Sequence, residues 1–275
     1  MKINEFIPPV VLDLALRLRI LKGNCVGRFN SFEDASLSIN NEGYQDDALC
    51  QSIVNKTIKF RDFVSNSEVL SGDIQLMRVL LAISLVNSHK LKVIDFGGAS
   101  GYHYFLAKKF FNNQLSFDWR VVETPKLATL SRQIQTNELQ FFDELEDACK
   151  DSFNPDLVFS SGALQFIPKL DKLLSDLSHL QAKIYYITRI PVADIDKSII
   201  TMQLSKMWHN GPSIPGRVGR DNSVIKYPVS LFSRKEIQLM FGKYFRIDAE
   251  FFEESASYRL ENLVFDMYGY LLKVK

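Results

Sequence analysis

Short apolar runs alternate with amphipathic stretches from Leu91 onward. The runs predict strands over Lys92–Phe96, Asp118–Glu123, Leu139–Phe142, Asp156–Ser160, Lys183–Arg189, Phe245–Phe252 and Leu263–Val274. Apolar residues at helical spacing predict helices over Tyr102–Phe111, Pro125–Gln135, Asp143–Lys150, Leu170–Leu180 and Ser233–Phe241. Repeated strand–helix units imply a parallel sheet with helices on both faces. Only Glu254 to Asn262 separates the last two runs, too little chain for a parallel crossover, so they should pair as an antiparallel hairpin. The expected fold is α/β: a mostly parallel, seven-stranded sheet ending in that hairpin.

Residues 1–90 show no strand alternation and read as a helical cap on a second unit, 91–275. An amphipathic helix should follow Pro8-Pro9, with Val10, Leu14 and Leu18 on one face. Asp13, Arg17 and Arg19 make that stretch too charged to span a bilayer. Packing on the protein body is the favoured reading, with peripheral attachment to the inner membrane as the alternative. Ser31 should cap a helix, with Asp34 three positions on, and Asn40-Asn41-Glu42-Gly43 should stop it. A further helix should run from Asp46 or Asp47 to Phe63 on Leu49, Ile53, Ile58 and Phe60. Ser71-Gly72-Asp73 should open another, with Ile74, Met77, Leu80, Leu81 and Leu85 as its apolar stripe. The interval 191–231, rich in proline and glycine, reads as a long irregular substrate loop carrying Trp208, His209, Arg217, Arg220 and Tyr227.

Composition narrows the function. The 275 residues are 46% apolar and 24% charged, with a net charge of +1. That balance suits a soluble globular protein of the cytoplasm and gives no basic excess for nucleic acid. Three scattered cysteines and four scattered histidines predict neither a disulfide framework nor a metal site. The sequence does not reveal an oligomeric state.

Candidate chemistry centres on Asp95-Phe96-Gly97-Gly98-Ala99-Ser100-Gly101, where a buried strand meets a glycine turn and then a helix. A carboxylate directly before the glycines is a poor neighbour for a pyrophosphate, and the spacing G-x-G-x-x-G is absent. Glu123 ends the next strand, where a carboxylate can accept hydrogen bonds from both hydroxyls of a ribose. NAD binders use the same acid, so Glu123 identifies a ribose and leaves the rest of the ligand open. His103, in the first turn of the following helix, is the candidate general base. Arg189, with Arg217 and Arg220, suits a carboxylate or phosphate on an anionic substrate.

The Asp95–Gly101 run resembles motif I of S-adenosylmethionine-dependent methyltransferases, and the strand running into Ser160-Ser161-Gly162-Ala163-Leu164-Gln165-Phe166 resembles motif IV. Together with Val121-Val122-Glu123-Thr124-Pro125 and Ile187-Thr188-Arg189-Ile190-Pro191, these stretches resemble a methyltransferase family frequently encoded among bacterial surface-polysaccharide genes. The resemblance runs from about Gly27 to Phe252. It implies a Rossmann-like class I methyltransferase with S-adenosyl-L-methionine as cofactor. Asp95, Gly97, Gly98, Ala99, Gly101, Glu123, Thr124, Phe142, Asp143, Ser160, Ser161 and Gln165 would contact that cofactor. Asp95 would serve the methionine ammonium, and the Phe142–Asp143 turn the adenine. The family supplies no acceptor. The expected acceptor is a small molecule or glycan, such as a sugar, nucleotide-sugar or polysaccharide precursor, methylated on oxygen or nitrogen. Tyr102, Tyr104, Arg189, Arg217 and Tyr227 are the expected substrate contacts, although Tyr104 also fits the core. Tyr44 and Phe29 are expected to line the pocket. The competing readings are an NAD-dependent sugar oxidoreductase or epimerase, and a non-catalytic binding protein of a polysaccharide assembly complex.

Overall fold

Val93-Ile94 and Leu157-Val158-Phe159 have no polar position between them, and both segments lie in the middle of the sheet, covered on both faces. The computed structural model describes residues 24–39, 43–67, 74–112, 114–212 and 221–275, with the side chains of 254–256 left out. The expected helix after Pro8-Pro9, the stop at Asn40-Asn41-Glu42, the start at Ser71-Gly72-Asp73, and Arg217 and Arg220 lie outside these residues.

In chain order the elements are β1 (Cys25–Phe29), α1 (Phe32–Leu37), α2 (Asp47–Asn66), α3 (Ile74–Ser84), β2 (Lys90–Phe96), α4 (Tyr102–Phe111), β3 (Ser116–Val122), α5 (Pro125–Ser131), β4 (Leu139–Phe142), α6 (Leu145–Ala148), β5 (Leu157–Ser161), α7 (Leu170–His179), β6 (Ile184–Ala193), β7 (Ile199–Lys206), β8 (Val224–Ser233), α8 (Arg234–Tyr244), β9 (Phe245–Leu260) and β10 (Leu263–Val274). Strands β4, β3, β2, β5 and β6 lie side by side and parallel. β10 pairs antiparallel with β6, and β9 with β10. The chain leaves β2 toward β3 and β4, then returns to β5 on the other flank of β2. This reversal opens a crevice at the carboxyl ends of β2 and β5, where ligands of open α/β sheets bind.

Three expectations are corrected. Among the described residues the sheet has ten strands, not seven. Two of the extra strands come from the interval read as an irregular loop: β7 and β8 pair antiparallel from Ile199↔Leu231 to Lys206↔Val224. β8 alternates strictly between exposed Val224 and Lys226 and buried Ile225, Tyr227 and Val229, a pattern its proline obscures. Pro228 is tolerated because β8 pairs there with β7 alone, so its missing N–H faces no second strand. The third extra strand, β1, lies where the helical cap was expected to have only a loop, and pairs with β7.

The stripe on α3 also faces the other way. Leu76, Val79, Ala82 and Ile83 are buried, whereas Ile74, Met77, Leu81 and Leu85 are exposed. The helix is apolar on both faces, so periodicity did not choose between them. The buried face carries a charge, Arg78. Its guanidinium donates to the buried Glu253 of β9 through Nε at 2.9 Å and Nη2 at 2.6 Å, and Thr188 of β6 hydrogen-bonds the other carboxylate oxygen. At the start of the chain's described part, Ser31 does cap α1: its Oγ accepts the Asp34 N–H at 3.0 Å.

Two apolar layers sandwich the sheet. One centres on Ile94, Val158, Tyr185, Ile187 and Phe241, the other on Val93, Phe105, Trp119, Phe159 and Tyr186. Among the described residues no helix is long and apolar enough to cross a membrane.

Candidate active site

The turn after β2 is held by its neighbours. The Gly97 N–H donates to the Val122 carbonyl at 2.8 Å, tying the end of β2 to the end of β3. Gly97 has φ +69°, and a Cβ there would overlap the Cβ of Ala163 in the loop after β5, so this position admits only glycine. Ala99 also sits in the left-handed region, at φ +51°. That conformation explains why small residues suit this position.

Glu123 stands beside the turn. One carboxylate oxygen accepts the Ala99 N–H at 3.0 Å and the other accepts the Thr124 N–H at 2.9 Å. Each oxygen keeps a lone pair for a further donor. Burial raises the Glu123 carboxyl above its ordinary value, against the lowering effect of those two N–H groups. Close by, Thr124 Oγ1 is buried and has no hydrogen-bond partner.

Asp95 lies directly beneath the turn. It is fully buried, and its Oδ2 accepts the indole N–H of Trp119 at 3.1 Å and lies 3.0 Å from His103 Nδ1. Gly98 closes over it so tightly that a Cβ there would collide with the carboxylate. One oxygen of the carboxylate thus serves a histidine and an indole together. His103 is itself buried, against the rings of Tyr102 and Phe159 at centroid distances of 4.0 and 4.9 Å. Its Nε2 has no hydrogen-bond partner, nor has Asp95 Oδ1. The sequence carried no signal for Trp119 as a partner, since its strand pattern already accounted for it as core.

The end of β5 adds more unpartnered polar atoms: Ser160 Oγ, Ser161 Oγ and Gln165 Oε1 are all buried without a hydrogen bond. Arg189 is half-buried at a β-bulge, where Thr188 and Arg189 together face Gly269 of β10. Its φ is +62°, and its guanidinium lies against Gly162. Among the described residues no carboxylate pairs with it.

Other expected site residues are distributed as follows. Tyr227 is buried in an aromatic cluster with Tyr44 and Phe166, with ring centroids 4.5 Å from Tyr44 and 5.4 Å from Phe166, and its hydroxyl donates to Asn210 at 3.0 Å. That cluster packs against Ala99, so Tyr44 and Tyr227 form a wall near the turn. Phe142 packs at the edge of the core and Asp143 pairs with Arg132 at 3.6 Å. Tyr102 is half-buried, its ring centroid 4.0 Å from that of His103. Two expectations are corrected here. Tyr104 is part of the core, packed on Phe117 and Trp119 with its hydroxyl on Glu138 at 2.9 Å, and is not available to a substrate. Phe29 lines a groove at the β1–β7 edge with Arg28, Asn30 and Ser198, apart from the turn. Among the described residues no three His, Cys, Asp or Glu side chains are placed to hold a metal ion.

No protein-family model matches the chain, and no curated protein does. Solved structures similar to it in shape include an S-adenosylmethionine-dependent methyltransferase of Clostridium acetobutylicum, 12% identical over 80% of this chain and 98% of that one, with a TM-score of 0.46. The CcbJ methyltransferase of Streptomyces caelestis is 10% identical over 81% of this chain and 98% of that one, with a TM-score of 0.47. A third is the 1,6-didemethyltoxoflavin-N1-methyltransferase of Burkholderia thailandensis, with its substrate and S-adenosylhomocysteine bound, 12% identical over 83% of this chain and 88% of that one, TM-score 0.44.

Proposed function

We propose that this chain is an enzyme that transfers a methyl group from S-adenosylmethionine to a small-molecule or glycan acceptor. The observation that carries the reading is the Glu123 carboxylate at the carboxyl end of β3, anchored by the N–H groups of Ala99 and Thr124 beside the turn after β2. Its free lone pairs suit the two hydroxyls of a ribose. The glycine turn beside it lets the rest of a nucleoside lie against backbone, and the orphaned Thr124 Oγ1, Ser160 Oγ and Ser161 Oγ offer further polar contacts. These residues fit the cofactor. Gly97, Gly98, Ala99 and Gly101 would form its bed, and Phe142 and Asp143 would flank the adenine.

When bound, S-adenosylmethionine supplies an electrophilic methyl group on a sulfonium. The chain's part is to position the acceptor in line and take up its proton. His103 Nε2 is the group we assign to the proton. Arg189, lacking a carboxylate partner among the described residues, would seat an anionic group of the acceptor, such as a sugar acid or the phosphate of a nucleotide-sugar. A sugar, nucleotide-sugar or polysaccharide precursor is the acceptor we propose, with the cytoplasm as the setting; the resemblance itself supplies no acceptor. Tyr44 and Tyr227, packed with Ala99 beside the turn, would form one wall of the acceptor pocket.

Calorimetry tests the reading. S-adenosylmethionine and S-adenosylhomocysteine should both bind and NAD should not. Absence of binding by both sulfur ligands would overturn it. A screen of activated and lipid-linked sugars, read by S-adenosylhomocysteine release, would then identify the acceptor.

A further inference from the structure

We infer that Asp95 is a positioning residue for His103, holding its ring in the tautomer that leaves Nε2 free to accept a proton, and is not a ligand of the cofactor. The inference rests on the methyl-transfer reading for its purpose, but its geometry stands alone. A carboxylate oxygen only accepts hydrogen bonds, so at 3.0 Å from Asp95 Oδ2 the proton of a neutral His103 must sit on Nδ1. Nε2 then carries a lone pair. That lone pair is buried and has no partner, an unfavourable state that an arriving donor would relieve. A hydroxyl or amine of the acceptor is such a donor. As the acceptor atom forms its bond to the methyl carbon, the carbon–sulfur bond breaks with its electron pair passing to sulfur. The acceptor's proton moves to Nε2, giving an imidazolium whose Nδ1–H remains on Asp95.

The surroundings are built for holding the carboxylate still. Trp119 Nε1–H donates to the same Oδ2 at 3.1 Å, so the carboxylate is held by two donors from different elements, α4 and β3. Gly98 leaves no space between the turn and the carboxylate for a larger side chain. With Oδ2 used twice and the group fully buried, Asp95 is committed to His103 and Trp119.

Nitrogen NMR of histidine-labelled protein reads the tautomer without any ligand, and His103→Gln identifies its signal among the four histidines. The wild type should show a protonated Nδ1 and a bare Nε2. Asp95→Asn should shift His103 toward the Nε2–H form while S-adenosylhomocysteine affinity stays within about threefold, which is under 1 kcal/mol. Trp119→Phe, which keeps the carboxylate, should leave the tautomer as in the wild type. A wild-type Nε2–H tautomer overturns the inference without recourse to any variant. So does a tenfold loss of S-adenosylhomocysteine affinity in Asp95→Asn with an unchanged tautomer. Failure of the wild type to bind S-adenosylhomocysteine counts against the methyl-transfer reading instead, and leaves the tautomer result intact.

Discussion

Two acids are buried on the same side of this sheet, and their partners differ in kind. Glu253 meets a guanidinium and a hydroxyl: Arg78 donates twice to one of its oxygens and Thr188 engages the other. Neither acid oxygen is left over. Asp95 meets only an indole N–H and an imidazole, with one carboxylate oxygen and one ring nitrogen of the pair unpartnered. A fully matched buried ion pair is an anchor, because every polar atom is accounted for within the protein. A buried pair with orphaned atoms holds capacity for a ligand or a proton, which is where catalytic groups are found. The first cluster ties α3 to the terminal hairpin, and the second sits under the glycine turn.

The comparison is sharpest in variants that touch one cluster and spare the other. His103→Gln should slow methyl transfer by about 10²–10⁴-fold, the usual contribution of a general base, with S-adenosylhomocysteine affinity kept. Full activity would move His103 out of the mechanism. Arg78→Met should show the opposite profile. It leaves Glu253 charged and buried without its counter-ion, at a cost of about 3–5 kcal/mol in thermal or denaturant unfolding. Adding Glu253→Met should recover most of that loss. A melting temperature unchanged in the single variant would mean that the pair is not an anchor.

Glu123 extends the contrast to an acid facing the crevice. Glu123→Ala should weaken S-adenosylhomocysteine binding about ten- to hundredfold, as expected for one or two hydrogen bonds to a charged acceptor. Because burial raises its carboxyl, the ionised form that accepts two hydroxyls is lost early on acidification. Affinity should therefore decline as pH falls, with a midpoint above the ordinary value of about 4.3, and Glu123→Gln should flatten that dependence. Titration calorimetry across pH checks both, and a wild-type profile with no such decline would remove the ribose role.

Much of the frame was legible because it follows local rules. β4 and β10 span the very residues that the apolar runs marked, as does α4 at Tyr102–Phe111. The segment 191–231 was less so. Its prolines and glycines mask alternation at residues 224–229, and the partner that makes β8 a strand lies across a long connection. α3 shows another limit: with apolar residues on both faces, only the presence of β5, Glu253 and the rest of the core decides that Leu76 and Val79 turn inward and Met77 and Leu81 do not. Among site residues, Glu123 was readable as an acid at a strand end, whereas the true neighbours of Asp95 were not.

The sequence by itself determined the strand–turn–helix at Asp95–Phe111, the Ser31 cap, the acid closing the strand at Glu123, and the α/β class with its final hairpin, since each depends on residues a few positions apart. Only the tertiary structure decided what those residues face. Trp119 reaches Asp95 from 24 positions away and Arg78 reaches Glu253 from 175. Ala163 abuts Gly97, and β1 joins β7 across the chain. Hydrophobic periodicity records which side of an element is buried, but it carries no term for what lies opposite. The partner of a buried charge is set by how the layers stack, and it is that partner which separates an anchor from a site.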